Sequence, residues 1–528
     1  MKVPSEIIRI YKSLHTWVGI IAGLGLFIAF YVGAFAVFKE PLRAWLQPPA
    51  QLRMVALADA GRLMDAVLSS KPGVAAGFTV HVTEQGGIPA RLSWQERDGE
   101  EEHAAGRWFM AGLGEDGSLQ IRQLHGAGLP DFIDTLHRVI GLPVDHDYAR
   151  WVMGVVAVLY ALALISGVVV LLPSLVKDFF LLRTGRNLKR MWLDAHNIVG
   201  IISLPFHLVM AITAVVFAYH DLFYVVQDQL SGKPPRPVRS MQHQALPGHP
   251  PVKLLSPQQL LARAQQLAPT MQVDALQYQD IAGARPLVRV WGHDSRAVMP
   301  RPRGGFLVLQ PYTGKLVSKE MVPGAQSLSN TLISSFFALH MASFGGVLLQ
   351  WLYFLLAMAG AWLFYSGNLL WIESRRVKAA RGDSRVPQQR SDVRCMAALS
   401  VGISLGCMSG ISLCLAASKL LNHFAAGQEW HLPLYYAVFL LSITWAFLRG
   451  AAWASRDLLW FCTLATLALP LSSLLVAVAQ GGYAAGWAVD VTALFASGLL
   501  GWLAAFVGRR LSAGPPDSVW YMVGRGRV

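Results

Sequence analysis

The 528-residue sequence predicts a polytopic α-helical membrane protein with about eight spans and two duplicated α+β domains in the periplasm. Three observations indicate this fold class: a composition depleted in charge, a series of long apolar stretches, and a repeated unit. Hydrophobic residues make up 54% of the chain and charged residues only 14%, whereas soluble proteins carry about 25% charged residues. A soluble enzyme and a disordered chain are therefore excluded.

Eight stretches of the sequence are long enough to cross a bilayer, which requires about 20 mostly apolar residues. They lie at residues 16–38, 151–173, 197–219, 346–372, 395–418, 432–449, 457–479 and 484–508. We interpret the first stretch as a retained span, because its apolar run is longer than the roughly 7–15 residues of a signal-peptide core.

The basic residues set the predicted orientation. The net charge of +14 is concentrated in the loop between spans 2 and 3, after span 4, between spans 6 and 7, and after span 8. With eight spans these segments fall on one side, which the positive-inside rule assigns to the cytoplasm. We expect a multi-pass protein of the bacterial inner membrane with both termini cytoplasmic, in contact with membrane lipid and not with nucleic acid.

The domain boundaries follow from this topology. The predicted parts are an N-terminal helix with span 1 (1–38), a first periplasmic domain (39–150), spans 2 and 3 with their loop (151–219), a second periplasmic domain (220–345), span 4 (346–372), a basic cytoplasmic linker (373–394), an appended module of spans 5–8 (395–508) and a cytoplasmic tail (509–528). Alternating apolar residues predict strands at 78–82, 90–94, 108–110, 273–278, 287–291 and 306–309, and helices at 58–68 and 257–267.

An internal repeat relates spans 1 and 2 to spans 3 and 4. Both odd-numbered spans begin with H-x-x-V-G-I-I, at His15 and at His196. Each then leads into a polar segment that ends in Leu-His, at His137 and at His340, before a span with Ser-Gly near its end. Spans 5–8 show no counterpart of this unit.

The four repeated histidines are the main candidates for a functional site. An ionisable side chain in or beside a membrane is costly and indicates function, although a single histidine at a helix end is more often an interfacial residue. A zinc site is disfavoured because the histidines lack cysteine or carboxylate companions. Two imidazoles on opposite sides of a porphyrin give a six-coordinate haem that transfers electrons. Gly19 and Gly200 would allow the flat ring system to approach the helices.

Three other histidines have a sequence context that suggests a functional role. His207 lies 11 residues after His196, which in a straight helix is about three turns along the same face, some 16 Å further on. It is an alternative haem ligand or a polar residue bonded to a neighbouring helix. His220, beside Asp221, is expected at the interface or near substrate. His146 between two aspartates could bind a metal, but a solvated loop is the better interpretation.

Several common sites are excluded by their sequence context. The four cysteines form no CxxC pair, so disulfide frameworks and cysteine-ligated clusters are not expected. The G-x-G-x-x-G match at Gly112–Gly117 contains two carboxylates and is followed by no helix, so we interpret it as a hairpin turn. No cytoplasmic segment is long enough for a flavin or nicotinamide domain. Electrons must therefore come from a quinol or from a separate cytoplasmic reductase.

The spaced motifs resemble those of the PepSY-associated transmembrane family over residues 5–375. They are Leu14-His15-x-Trp17-x-Gly19, Leu136-His137-Arg138, Asp194-Ala195-His196-Asn197 and Leu339-His340 followed by Phe344-Gly345-Gly346. The resemblance extends to inner-membrane ferric-siderophore reductases of the ferrioxamine-reductase type and, more weakly, to a longer form found with pyoverdine systems. It implies two PepSY-like periplasmic domains, about two b haems, and His15, His137, His196 and His340 as ligands of the haem iron.

The expected activity is therefore reduction of a ferric siderophore in the periplasm, with periplasmic or ABC-transport partners receiving the released iron. Residues 39–149 contain 10 basic and 15 acidic side chains, whereas residues 220–335 contain 12 basic and 6 acidic ones. An anionic chelate would favour the basic segment. The candidate substrate residues are Arg289, Arg296, Arg301 and Arg303, although an ordinary solvated basic face is the better explanation of any single arginine. The sequence identifies no catalytic residue.

Three alternative functions are compatible with the sequence. The chain could be a non-enzymatic module whose external domains bind a periplasmic partner, which predicts no haem. It could transport iron or siderophore, for which broken helices and polar residues near the bilayer centre would be expected. It could also be a dihaem electron carrier whose acceptor is not iron, and the histidine pairs do not distinguish this case.

Overall fold

The long apolar stretches form helices, because a helix satisfies its own backbone hydrogen bonds where water is absent. The computed structural model describes residues 4–46, 52, 54–83, 90–96, 107–124, 128–143, 146–173, 188–222, 225, 229, 253–297, 301–302, 304–378, 387–424, 430–480, 486–513 and 515–521. In these ranges seven helices are long and apolar enough to cross a membrane, or eight if one bent pair forms a single span. The prediction of a polytopic membrane protein is confirmed.

The described helices are α1 (Ser5–Ala36), α2 (Lys39–Leu46), α3 (Ala60–Ser70), α4 (Gly128–Arg138), α5 (His146–Leu171), α6 (Leu188–Ile202), α7 (Leu204–Ala218), α8 (Pro257–Leu267), α9 (Leu328–Met341), α10 (Gly346–Ser374), α11 (Ser391–Phe424), α12 (His431–Arg449), α13 (Ala451–Gln480) and α14 (Trp487–Ala513). The chain divides into two compact units. We call residues 1–42, 129–219 and 351–528 the helical unit, and residues 43–128 and 220–350 the sheet unit.

The third span is not straight. Its two helices, α6 and α7, meet at an angle of 68° around Ser203. Pro205 lies in the first turn of α7 and has no backbone N–H, so it favours the start of a new helix over the continuation of α6. The prediction that His196 and His207 share one face of a straight helix was therefore wrong, because the helix axis changes direction between them.

Helices α11 and α12 of the appended module pack at very short range. Glycines at positions 402, 406 and 410 of α11 recur every four residues and so lie on one face. A Cβ atom on Gly402 would lie 2.7 Å from Ile443 Cα, and one on Gly406 would lie 2.9 Å from Ser442 Cβ. Small residues at this spacing allow backbones to approach closely inside a membrane, where packing rather than the hydrophobic effect drives association.

The appended module also packs against the helices of the repeated unit. Trp371 and Ile372 of α10 share a buried cluster with Ala397 and Val401 of α11, and residues of α1 border this cluster. In the middle of α4, the ring of Phe132 lies 5.0 Å from the imidazole of His431 in α12. The module and the first four spans therefore belong to one compact helical unit.

The sheet unit contains one antiparallel sheet of eight strands. The strands are β1 (Gly77–His81), β2 (Leu92–Glu96), β3 (Arg107–Leu113), β4 (Leu119–Leu124), β5 (Gln272–Gln279), β6 (Leu287–His293), β7 (Gly305–Leu309) and β8 (Leu316–Met321), in the order β4-β3-β2-β1-β5-β6-β7-β8. The predicted strands and the turn at Gly114–Gly117 all occur, with boundaries shifted by a few residues. This turn joins β3 to β4 and is not a nucleotide-binding loop.

The two predicted periplasmic segments meet at the centre of this sheet. Strand β1 pairs along its whole length with residues 275–279 of β5, and the rings of Phe78 and Tyr278 stack at 4.5 Å across the junction. Helices α3 and α8 contribute Leu63 and Leu260 to the same buried core. Each half consists of a helix followed by four strands, but the halves form one compact unit where the sequence predicts two domains. Their origin by duplication stays a prediction.

The buried His81 makes the stability of the sheet unit sensitive to pH. Its Nε2 lies 2.8 Å from Ser93 Oγ, and burial, assisted by the charge of Arg91, lowers the pKa of His81 to about 4. The unfolded chain binds the proton near pH 6.5, so stability is fully present above that pH and falls as the pH decreases towards 4. The loss is about 3 kcal/mol.

We expect the opening free energy of β1 and β2, measured by hydrogen exchange corrected for intrinsic rates, to decrease between pH 6.5 and pH 4. The variant His81→Asn keeps a hydrogen-bonding side chain without a titrating ring, and should lose most of this slope. An unchanged slope in the variant would assign the pH dependence to other groups.

Candidate functional site

Four of the five predicted haem-ligand histidines lie in the helical unit, each on a different helix. His15 is on α1, His137 on α4, His196 on α6 and His207 on α7. The first three are partly buried, whereas His207 is 2% exposed. The fifth, His340, is a partly buried residue near the end of α9 in the sheet unit.

The structure brings His15 and His196, the first repeat-related pair, close together. Their ring centroids are 6.5 Å apart and the ring planes are inclined by 77°. Two imidazoles that each bind one metal ion through a single nitrogen at about 2 Å have centroids roughly 6 Å apart. A separation of this size would allow both rings to bind one metal ion.

Backbone carbonyls fix the tautomers of His15 and His137. The Nδ1 atom of His15 lies 2.9 Å from the carbonyl oxygen of Ala163, and Nδ1 of His137 lies 2.7 Å from that of Ala29. A carbonyl oxygen can only accept, so Nδ1 must carry the proton in both rings. In the neutral imidazole the lone pair is then on Nε2, the arrangement found in most metal-binding histidines.

Hydroxyl groups contact the Nδ1 atoms of His196 and His207. Ser366 Oγ donates to the Leu363 carbonyl at 2.9 Å and accepts from His196 Nδ1, also at 2.9 Å. The hydroxyl of Tyr160 lies 2.5 Å from His207 Nδ1 and 3.2 Å from the His207 carbonyl oxygen. In His15, His137 and His196 the lone pair is therefore on Nε2, the nitrogen that could bind a metal ion.

Each of these four rings packs against a glycine of a neighbouring helix. A Cβ atom on Gly167 would lie 3.0 Å from His15 Cε1, and one on Gly33 would lie 2.9 Å from His137 Nδ1. The corresponding distances to Cε1 are 3.0 Å from Gly360 to His207 and 3.7 Å from Gly367 to His196. In at least three cases a larger residue would displace the ring and weaken its Nδ1 hydrogen bond.

The glycines that follow His15 and His196 have the opposite environment. Gly19 and Gly200 lie four residues after these histidines, and so on the same helical faces. A Cβ atom on Gly19 would meet no atom within 4 Å, and one on Gly200 would meet only the end of Leu363 at 3.9 Å. These open positions leave room for a flat macrocycle beside each histidine, so the residues present fit a haem group.

His207 has a second property expected of a ligand. Its Nε2 atom is buried and has no hydrogen-bond partner in the part of the chain that the structure describes. Phe30, Phe206 and Phe364 surround the ring with centroid separations of 5.4 to 6.4 Å. An unpaired lone pair in an apolar environment is costly, which supports a ligand role for His207 beside that of His15 and His196.

Comparison with protein families identifies the chain. The profile of the PepSY-associated TM region matches residues 12–374, about two thirds of the sequence. The chain belongs to the PepSY-associated transmembrane family. The match includes the five candidate haem-ligand histidines and ends at the close of α10, before the appended module. A comparison with curated proteins found no match.

The candidate substrate arginines of this PepSY-associated protein do not form one described cluster. Arg296 pairs with Asp294 at 3.2 Å, and hydrogen bonds from Arg296 hold the pKa of that carboxyl well below its usual value. Arg301 donates to Ser334 Oγ at 3.1 Å, and Arg289 lies over the ring of Phe306 at 5.6 Å. Arg303 and the side chain of His146 lie outside the described residues. His220 contacts Asp221 at 3.0 Å.

Sequence reasoning missed the groups that orient the imidazoles. Ser366 was visible as part of the repeated Ser-Gly motif, which could have indicated a partner for His196. Tyr160 and the carbonyl groups of Ala29 and Ala163 carried no sequence signal, because their role depends on how α1, α4 and α5 pack.

The two kinds of glycine give a matched test of the imidazole packing. We expect Gly167→Ala to lower the free energy of unfolding by about 1–3 kcal/mol, because the new Cβ collides with the ring of His15. Gly498→Ala, in α14, adds the same methyl group where no atom lies within 4 Å and should be neutral or stabilising by up to about 1 kcal/mol. Thermal unfolding of the detergent-solubilised protein measures both changes. Equal effects of the two substitutions would contradict the described contact.

Proposed function

We propose that this protein is a haem b electron carrier of the bacterial inner membrane that reduces ferric siderophores in the periplasm. Electrons would enter from a quinol or a cytoplasmic reductase and leave to ferric iron on the outer side. One electron converts Fe³⁺ to Fe²⁺, which matches hard oxygen ligands less well, so the chelate loosens. Periplasmic or ABC-transport partners would then receive the iron.

The observation that supports this proposal most strongly is the pair formed by His15 and His196. The 6.5 Å separation of the rings and the Nδ1 hydrogen bonds to Ala163 and Ser366 are together typical of a bis-imidazole metal site. The open space beside Gly19 supports a planar ligand rather than a bare ion.

Haem b, when bound by two imidazoles, supplies one-electron chemistry without an open position for oxygen. His15 and His196 would hold the iron of one group. His137, His207 and His340 are the remaining candidate ligands of the second group. The Nδ1–H bonds of His15, His137 and His196 raise the basicity of Nε2 and fix the ring orientation, the two contributions expected of groups that orient a metal ligand.

The substrate side of the proposal is assigned to the sheet unit. Its second segment carries the excess of basic residues that an anionic chelate would favour. The candidate residues stay Arg289, Arg296, Arg301 and Arg303; Asp294 compensates the charge of Arg296, and Arg301 donates to Ser334 Oγ. The PepSY-like character of both halves of this unit and its periplasmic location are parts of the same proposal.

Optical spectroscopy of the detergent-purified protein tests the cofactor. We expect a sharp α-band after dithionite reduction and about two b haems per chain by pyridine haemochrome. His15→Ala and His196→Ala should each remove about one haem, because both histidines would hold the same iron. Reoxidation of the reduced protein by a ferric siderophore then tests the activity.

The matched control for these variants is His293→Ala. His293 is a surface residue of the sheet unit whose ring contacts Asp274 at 2.8 Å, and its loss should leave the spectrum unchanged. A colourless protein, even after expression with ample haem, would contradict the proposal and favour a module that binds a periplasmic partner.

One observation favours a second candidate function, transport of iron or siderophore. The third span is broken by 68° beside the buried His207, and broken helices near a polar residue are typical of transporters. Proteoliposomes loaded without any reductant distinguish the two functions. Accumulation of the intact ferric chelate would indicate transport, whereas an absolute requirement for electrons would indicate reduction.

A further inference from the structure

The appended module carries a pocket that the electron-transfer proposal does not use. It lies where α12 ends and α13 begins, around the sharp turn at Gly450, whose φ is +77°. The pocket has a volume of about 590 Å³ and is lined by Arg449, Trp453, Arg456, Asp457 and Trp460. A phosphate group is much smaller than this volume, so size does not restrict its entry.

The first arginine of the pocket is held in place. Arg449 lies over the rings of Trp445 and Trp453, at 5.6 Å and 5.1 Å from their centroids. Its Nε donates to Asp457 Oδ2 at 3.4 Å, and the indole of Trp445 donates to the same oxygen at 3.2 Å. Stacking and the ion pair orient the guanidinium, and Asp457 compensates its charge.

The second arginine supplies the uncompensated charge. Arg456 is exposed, and no ion pair or hydrogen bond joins its guanidinium to another residue in the described ranges. Its side chain passes Gly508 of α14, where a Cβ atom would lie 3.7 Å from Arg456 Cδ. Two exposed arginines, Arg509 and Arg510, follow this glycine. The local excess of positive charge favours an anion.

The surface next to the pocket is apolar. Leu448 at the end of α12 is 77% exposed, and Trp460 and Leu464 of α13 are 43% and 62% exposed. Tryptophans at a helix end lie at the level of lipid headgroups, and exposed leucines beside them face acyl chains. A ligand that contains both a phosphate and long alkyl chains would therefore satisfy both parts of the surface.

We propose that the pocket between α12 and α13 binds the phosphate group of an anionic membrane lipid, with Arg456 as its main ionic partner. Arg449 and Trp453 form the wall against which the headgroup packs. The acyl chains lie along the exposed apolar residues of α12 and α13. Basic pockets between membrane helices recognise anionic lipids by this combination of charge and apolar surface.

Native mass spectrometry of the delipidated intact chain tests the proposal. We expect added phosphatidylglycerol to bind more tightly than phosphatidylcholine of the same chain length. The variant Arg456→Gln should weaken phosphatidylglycerol binding about five-fold, the effect of one basic residue near an anionic lipid, whereas Arg456→Lys should retain most of it. The retention by the lysine variant would show that the loss reflects charge and not misfolding.

Arg375→Gln is the matched control, because Arg375 also lies over two tryptophans, Trp17 and Trp371, but outside the pocket. It should leave the affinity unchanged. Equal binding of the two lipids, or an equal effect of the two glutamine variants, would overturn the specific site. Displacement of the lipid by millimolar inorganic phosphate or glycerol phosphate would also overturn the proposal, because the ligand would then be a soluble phosphate.

Discussion

The geometry of the candidate site depends on one packing constraint: an imidazole can approach a neighbouring helix closely only where that helix has no side chain. Gly167, Gly33 and Gly360 provide this condition for the rings of His15, His137 and His207. A Cβ atom on any of these glycines would lie only 2.9–3.0 Å from the ring, so the ring would have to move. For His15 and His137 the close approach brings Nδ1 within hydrogen-bonding distance of a carbonyl oxygen of the same helix, that of Ala163 and that of Ala29. Packing therefore determines the tautomer, and the tautomer determines which nitrogen can bind a metal.

The membrane environment gives this arrangement its significance. Where no water is available, a polar atom must find a partner within the protein or on a ligand. Carbonyl and hydroxyl oxygens satisfy the Nδ1 atoms of His15, His137, His196 and His207, but Nε2 of His207 is buried without a partner in the described ranges. A ring nitrogen that is held in place but has no hydrogen-bond partner in the protein is expected at a cofactor site. In a histidine with a purely structural role, the same unpaired nitrogen would lower the stability of the protein.

Much of the fold was predictable because its signals are local. The long apolar stretches predicted the spans, and the alternation of apolar residues predicted the strands. The helix predicted at 257–267 agrees to the residue with α8, and the structure shows a capping box of Ser256 and Gln259 at its start. The pairing of β1 with β5 was not predictable, since it joins segments nearly 200 residues apart through a core shared by α3 and α8. Pro205 was visible, but membrane helices tolerate proline, so the sequence did not specify a 68° bend.

The candidate site was predictable to the extent that the repeat encodes it. Two copies of one motif place His15 and His196 at equivalent positions, and the structure brings these rings to 6.5 Å. The same repeat includes a Ser-Gly pair in each copy. Gly167 of the first copy contacts the ring of His15, and Ser366 and Gly367 of the second copy contact the ring of His196. The count of charged residues was less informative about the candidate arginines. An excess of basic residues over a long segment does not show which arginine is paired with a nearby carboxylate such as Asp294. A repeated motif restricts the positions of its residues, because both copies must fold in the same way. The net charge of a segment restricts only the average electrostatic potential around it.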